Sequence, residues 1–222
     1  MQDINLLDHG YIKFVEHWGS DQRFIEAARM STDGGFRGWD RDQRLLEFLW
    51  RNKHATPFEM GGMVIEIKAP IFVFREWHRH RTQSYNEMSA RYIPMPDENY
   101  VPTVLRLIEG SMLTTNKQAQ GSKQLTRLEA EEFQISLEDL YNRAQAVYED
   151  ALKMGVPKEL ARLPVPVGRY SKMRASANLR NWLAFLTLRM APNAQWEIRQ
   201  YADAVGEYIA ELFPRTWKLF NE

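Results

Sequence analysis

The run Trp77–His78–Arg79–His80–Arg81–Thr82–Gln83–Ser84–Tyr85–Asn86–Glu87–Met88–Ser89–Ala90–Arg91–Tyr92 gathers most of the side chains in this sequence that could do chemistry together. Three arginines, two histidines, one glutamate, two serines and an asparagine share its sixteen positions, directly after the apolar Pro70–Phe74. Guanidinium groups at Arg79, Arg81 and Arg91 present planar forks of N–H donors that match phosphate or a uracil-like imide edge. Asn86, Glu87 and Ser89 can accept or donate beside them. That composition suits a phosphorylated ligand. A solvated charged turn is the plain alternative, and the interleaved Trp77, Tyr85 and Tyr92 argue against it. A nucleic-acid-binding module built on the His78–Arg81 patch is a further reading. Against it stands the balance of 29 basic and 29 acidic residues, which leaves no global field for gathering DNA or RNA.

Several chemistries are excluded at once. The chain has no cysteine, which removes disulfides, thiolate metal sites and cysteine nucleophiles. Neither GxGxxG nor GxxxxGK[ST] occurs, so a Rossmann or P-loop nucleotide site is absent. His78 and His80 would share a face on a strand but point about 200° apart on a helix. With no HExxH motif either, no metal site is expected. Ser89 has no evident base within the run, so it reads as a positioning group rather than a nucleophile.

The elements that must hold this run follow from periodicity and breakers. Ile4–Leu7 and Gly10–Trp18 read as short strands. Ser20 is expected to cap a helix through Met30, with Phe24, Ile25, Ala28 and Met30 as its buried stripe. Residues 31–38 form a breaker-rich loop in which Gly34–Gly35 serve either a close approach of backbone to ligand or a simple connection. Asp40 is expected to cap a core helix through Trp50 or Asn52, and His54–Glu59 to form a turn. Met63–Lys68 alternates as a strand, and residues 71–80 read as a helix carrying the arginine-rich run at its end.

Pro94, Pro96 and Pro102 break the chain, and residues 110–126 read as a flexible loop. Glu131–Met154 is the clearest amphipathic helix, apolar at 133, 137, 140, 141, 144, 147, 148, 151 and 152, with Gly155 as its terminator. A short helix from Pro157 to about Arg162 follows, then an extended stretch Val165–Ser176 and a helix Asn178–Leu188. The last helix, Ala194–Phe213, is expected to stop at Pro214. Strands early and helices late predict an α+β fold, a small mainly antiparallel sheet packed with long helices, in one domain over 1–222. Hydrophobic residues at 44% and seven tryptophans supply a core and some apolar surface for an interface. No apolar run of membrane-spanning length and no targeting segment is visible, so a soluble, cytoplasmic chain is expected.

Arg79–His80–Arg81, seven residues, then Ser89, within RHRTQSYNEMSARY, resembles the signature of the flavin-dependent thymidylate synthases. Similarity continues in AARMS at 27–31, HATPFE at 54–59, KAPIFVFREW at 68–77, and NLRNWLAFLTLR with AQWEIRQYA between Asn178 and Ala202, leaving a gap around 95–130. The resemblance implies FAD at Arg79, His80 and Arg81, with Thr56, Glu87, Asn178, Leu179 and Arg180 beside it and Ser31 and His54 near flavin or folate. It implies deoxyuridylate (dUMP) at Glu76, Trp77, His78, Arg79, Glu87, Met88, Ser89, Ala90, Arg91, Arg162 and Arg189. Arg189, helped by Arg91, would stabilise negative charge on the uracil edge, and Ser89 would position the nucleotide. The implied reaction is reductive methylation of dUMP to dTMP, with 5,10-methylenetetrahydrofolate giving the carbon and NADPH the electrons. The implied assembly is a homotetramer with active sites between subunits. Two positions depart from the family pattern: Ala184 stands where an asparagine meets flavin, and Glu76 where glutamine is common. A carboxylate beside phosphate is unfavourable unless an arginine intervenes.

Overall fold

The computed structural model describes residues 1–111, 121 and 123–222. Strands β1 (Ile4–Leu6), β2 (Gly10–Trp18), β3 (Gly62–Pro70), β4 (Ser84–Glu87) and β5 (Tyr170–Asn178) form one antiparallel sheet in the order β1-β2-β3-β5-β4. The alternation read from sequence sets its two faces. Ile12, Met63, Ile65, Ile67, Ala69, Met173, Ala175 and Ala177 point into the core, while Lys13, Glu66, Lys68, Lys172 and Arg174 lie on the opposite face. A register shift between Phe14 and Glu16 turns Val15 out as a bulge.

The core face is covered by α3 (Ile71–Trp77), α7 (Leu179–Arg189) and α8 (Trp196–Leu212). Two helix side chains reach free carbonyls of β3: Tyr201 Oη donates to Lys68 O at 2.9 Å and Trp182 Nε1 to Met63 O at 3.1 Å. Each aromatic therefore buries its ring without stranding its polar atom. Around them pack α1 (Asp21–Arg29), α2 (Trp39–Arg51) and α9 (Pro214–Phe220), while α4 (Val104–Ser111), α5 (Arg127–Lys153) and α6 (Lys158–Ala161) follow β4 in the chain.

Several boundaries differ from expectation for identifiable reasons. Ser20 does cap α1, accepting from Arg23 N, yet Met30 lies beyond the helix in a 3-10 turn and is exposed. Gly38, not Asp40, is the N-cap of α2, at φ +91°, where a Cβ would be strained. Asp42, one turn in, accepts instead from Arg37 N and pairs with Arg29, which ties down the 31–38 loop. The helix before Pro214 does stop there, α8 ending at Leu212, but it is not the last: the proline opens α9, since a first-turn proline has no hydrogen bond to lose. The stretch expected as a flexible loop lies mostly outside the described residues, and its Gly110 and Ser111 belong to α4.

The long helix α5 begins earlier than read, at a capping box in which Thr126 and Glu129 satisfy each other's backbone. Its apolar stripe is not buried within one chain. Only Ala130, Tyr141 and Tyr148 are covered, while Phe133, Ile135, Leu140 and Val147 face out.

Candidate active site

The arginine-rich turn begins where α3 ends, and Trp77 fixes that point. Its indole is fully buried, stacked on Phe185 at 4.5 Å and edge-on to Trp182 and Tyr201, and its Nε1 donates to Gln83 Oε1 at 3.0 Å. A helix C-terminus leaves carbonyls without helical partners. Here Tyr85 Oη lies 2.6 Å from His80 O and 3.2 Å from Trp77 O, fastening residues 77–80 to the start of β4. Burial pushes the Tyr85 hydroxyl up to about 12, so it remains a donor at neutral pH. Asn181 Nδ2 donates to Thr82 O at 3.1 Å, tying the same turn to the first turn of α7, which Asn178 caps by accepting from Asn181 N.

From the far end of α7, Arg189 returns to this turn. Its Nε donates to His80 Nε2 at 2.8 Å, Nη1 to Glu76 Oε2 at 2.6 Å and Nη2 to Glu76 O at 2.9 Å. Burial, then the Arg189 charge, drive the imidazole down to about 4 against an opposing pull from Glu76. His80 is thus neutral, and since Nε2 accepts, its proton sits on Nδ1. Edge-on contact with Phe185 at 4.9 Å holds the ring. Arg79 and Arg81 are exposed at the same turn, and neither guanidinium has an ion pair or hydrogen bond among the described residues. Nearby, Arg180 pairs with Glu59 at the end of the 3-10 turn Thr56–Glu59, which brings Thr56 to this side of the molecule.

A second cluster lies past the other end of β4. Three residue steps separate Ser84, opposite Ser176, from Glu87, opposite Met173. At strand spacing the clusters are therefore about 10 Å apart. Ser171 Oγ donates to Glu87 Oε1 at 2.8 Å, and Met88 N to Lys172 O at 2.8 Å. Ser89 closes a turn, its Oγ accepting from Arg91 N at 3.3 Å and its carbonyl from Tyr92 N and Ile93 N. Arg91 Nε stands 3.2 Å from Glu159, and Arg162 Nε donates to Glu159 O at 3.3 Å, so α6 gathers both arginines. Beside this cluster, a cleft of about 280 Å³ on the outer sheet face is lined by Glu66, Asn86, Lys172, Met173 and Arg174.

The expected site residues therefore fall into two groups with outliers. Glu76, Arg79, His80, Arg81, Arg180 and Arg189 meet at the turn; Glu87, Met88, Ser89, Arg91 and Arg162 meet past β4. Trp77 and Leu179 are fully buried and Ala90 nearly so, so their side chains offer no surface to a ligand within this chain. His78 packs against Tyr85, with Nε2 3.1 Å from Met173 Sδ. Ser31 Oγ turns back to Ala28 O, and exposed His54 leans on Phe48. Ala184 is exposed and, as a methyl, offers no hydrogen bond. Among the described residues no three His, Cys, Asp or Glu side chains gather into a group that could hold a metal ion. Residues not singled out from sequence include Gln83, Tyr85, Asn181, Glu159 and Ser171. Only their contacts reveal them, although Gln83 and Tyr85 already stood inside the run.

Fold and site together define an α+β protein whose candidate site residues sit on an arginine-rich turn and about the adjoining edge strand. The family described as thymidylate synthase complementing protein matches residues 13–215. The chain is 39% identical to the flavin-dependent thymidylate synthase of Thermus thermophilus over 221 residues, covering 99% of this chain and 78% of that protein. It is 36% identical to the enzyme of the same description from Pseudothermotoga lettingae, covering 98% and 92%. A solved structure of the UMP/dUMP methylase PolB from Streptomyces cacaoi, bound with 5-Br dUMP, superposes with a TM-score of 0.87 at 31% identity, covering 98% of this chain and 97% of that one. The chain belongs to the flavin-dependent thymidylate synthase family. No helix among the described residues is long and apolar enough to cross a membrane.

Proposed function

We propose that this chain converts dUMP to dTMP by reductive methylation, with 5,10-methylenetetrahydrofolate as carbon donor and NADPH as reductant through FAD. The observation that carries the reading is the turn at the end of α3: a partly buried, three-point-held Arg189 beside two exposed arginines, Arg79 and Arg81, that are unpaired among the described residues. A held guanidinium suits an edge that gains negative charge as the uracil ring reacts, because its donors need no reorganisation at that moment. Free guanidinium groups suit phosphate. With no cysteine in the chain, a thiolate cannot attack the pyrimidine.

The donor set at the turn fits an anionic dinucleotide cofactor. Arg79, His80 and Arg81 would hold FAD, with Thr56, Glu87 and the Asn178–Arg180 helix start beside it and Ser31 and His54 further out. Bound there, FAD would carry electrons from NADPH to the nucleotide. Met88, Ser89, Ala90, Arg91 and Arg162 would receive dUMP, and Arg189 with Arg91 would stabilise the anionic ring. The nucleotide and cofactor residues stand in two clusters about 10 Å apart, and α5 leaves an apolar stripe uncovered. Both support a homotetramer with each site completed between subunits.

The reading is tested by purifying the chain with added FAD and supplying dUMP, methylenetetrahydrofolate and NADPH. A yellow protein that forms dTMP as NADPH is oxidised is expected. A protein that stays colourless, takes up no FAD and forms no dTMP would refute it.

A further inference from the structure

We propose that Glu76 is a positioning residue for Arg189 and not a contact to the nucleotide; this deepens, and rests on, the function proposed above. Arginine carries about 2 kcal/mol of rotamer entropy, and at the last position of α7 its side chain would otherwise sweep a wide arc. Three bonds remove that freedom. Two come from one residue, the Glu76 carboxylate and the Glu76 carbonyl, and the third comes from the neutral ring of His80. The side chain is 16% exposed, so the pair is formed in a partly dry setting where a charged acceptor matters.

Arg189 has five N–H donors. Three are used inside the protein, which leaves one each on Nη1 and Nη2. Those two donors remain for polar acceptors such as those on a pyrimidine edge. The carboxylate also offsets the arginine's charge, so the pair as a whole is neutral. A neutral fork favours a polar planar edge over a phosphate, while Arg79 and Arg81, with no counterion, remain the stronger attraction for phosphate. Glutamine at this position could still accept one hydrogen bond, but without the opposite charge that makes an ion pair and offsets Arg189. The function of a glutamate here is thus to fix where Arg189 points and to decide which part of the nucleotide it meets.

A double-mutant cycle between Glu76→Gln and Arg189→Lys tests this, with kcat and the KM for dUMP measured for all four proteins and bound FAD as the check on folding. If Glu76 acts through Arg189, Glu76→Gln lowers kcat about tenfold with KM changed less than about threefold, and in the Arg189→Lys background it changes kcat by less than about twofold. Independent losses that multiply, or a rise in KM that persists in the Arg189→Lys background, would show that Glu76 meets the nucleotide itself and would overturn the inference. A wild-type protein that forms no dTMP would overturn the enzymatic reading and this inference with it; an active wild type with multiplying losses overturns the inference alone.

Discussion

The two clusters of candidate site residues are built in opposite ways. At the turn after α3, the backbone is fastened from four sides: Trp77 in the core, Gln83 on its indole, Tyr85 on two carbonyls and Asn181 on a third. Arg189 there is mostly buried and held by three hydrogen bonds. Past β4, Arg91 is 58% exposed and meets an exposed Glu159, and Ser89 is held only by its own local turn. Exposed pairs of that kind contribute little to stability. The difference assigns roles: the rigid cluster is suited to a step that demands fixed donors, and the loose one to a ligand that must enter, be clasped and leave.

Breaking the anchor of the rigid cluster has the largest expected effect. Trp77→Ala removes a fully buried indole that three aromatic rings surround, and a loss of about 4 kcal/mol is expected. Chemical denaturation should show it, with the midpoint shifted and the flavin lost alongside. Next comes Arg189→Lys, expected to keep the fold and bound FAD while kcat for dTMP falls about 10²-fold, since lysine keeps the charge but lacks the planar fork. Steady-state assays at saturating dUMP check it.

How far these roles could be read from sequence differs between the clusters. The strand β3 and helix α3 ahead of the turn, the Ser20 cap of α1, the helix α7 and the run itself were visible as periodicity, caps and composition, whereas the short edge strand β4 was not. The grip on Arg189 was not, because Glu76 and Arg189 are 113 residues apart and meet only because the eleven residues of α7 carry its end back to α3. The burial of Trp77 was not legible for a related reason, since burial depends on what packs from elsewhere. At α5 the period was correct but its partner was not visible, because no element among the described residues covers Phe133, Leu140 or Val147. At α2, a glycine with positive φ took the capping place that residue type alone assigned to Asp40.

The loose cluster should respond more gently. Ser89→Ala is expected to weaken dUMP binding by up to about tenfold, the worth of one hydrogen bond, with turnover preserved at saturation. Titration calorimetry and kcat on the same sample check both halves. Normal dUMP binding with no product would instead make Ser89 a nucleophile. Tyr85→Phe, back in the rigid cluster, should lower stability by about 1 kcal/mol by stranding the His80 carbonyl.

Acid sharpens the contrast further. His80 titrates at about 4 when folded against 6.5 ordinarily, so the unfolded chain binds its proton first as pH falls. Its contribution is therefore fully present above about pH 6.5 and lost progressively toward pH 4. Protonation also removes the acceptor for Arg189 Nε, with the Glu76 carboxylate nearby to offset part of the added charge. Thermal melts between pH 7 and 4.5 should fall more steeply for the wild type than for His80→Gln.

The central claim is that a working site joins the rigid turn of one chain to the loose cluster of another, and subunit mixing tests it most directly. Arg189→Lys and Arg162→Ala chains are unfolded together in equal amounts, refolded and assayed for dTMP at a dUMP concentration low enough that each alone is nearly inactive. If each site draws its turn and its loop from different subunits, hybrids contain some sites with both parts intact, and activity recovers to about a quarter of wild type. Activity no higher than the mean of the two variants alone would contradict the account, because it would mean that both clusters serve one site within a single chain.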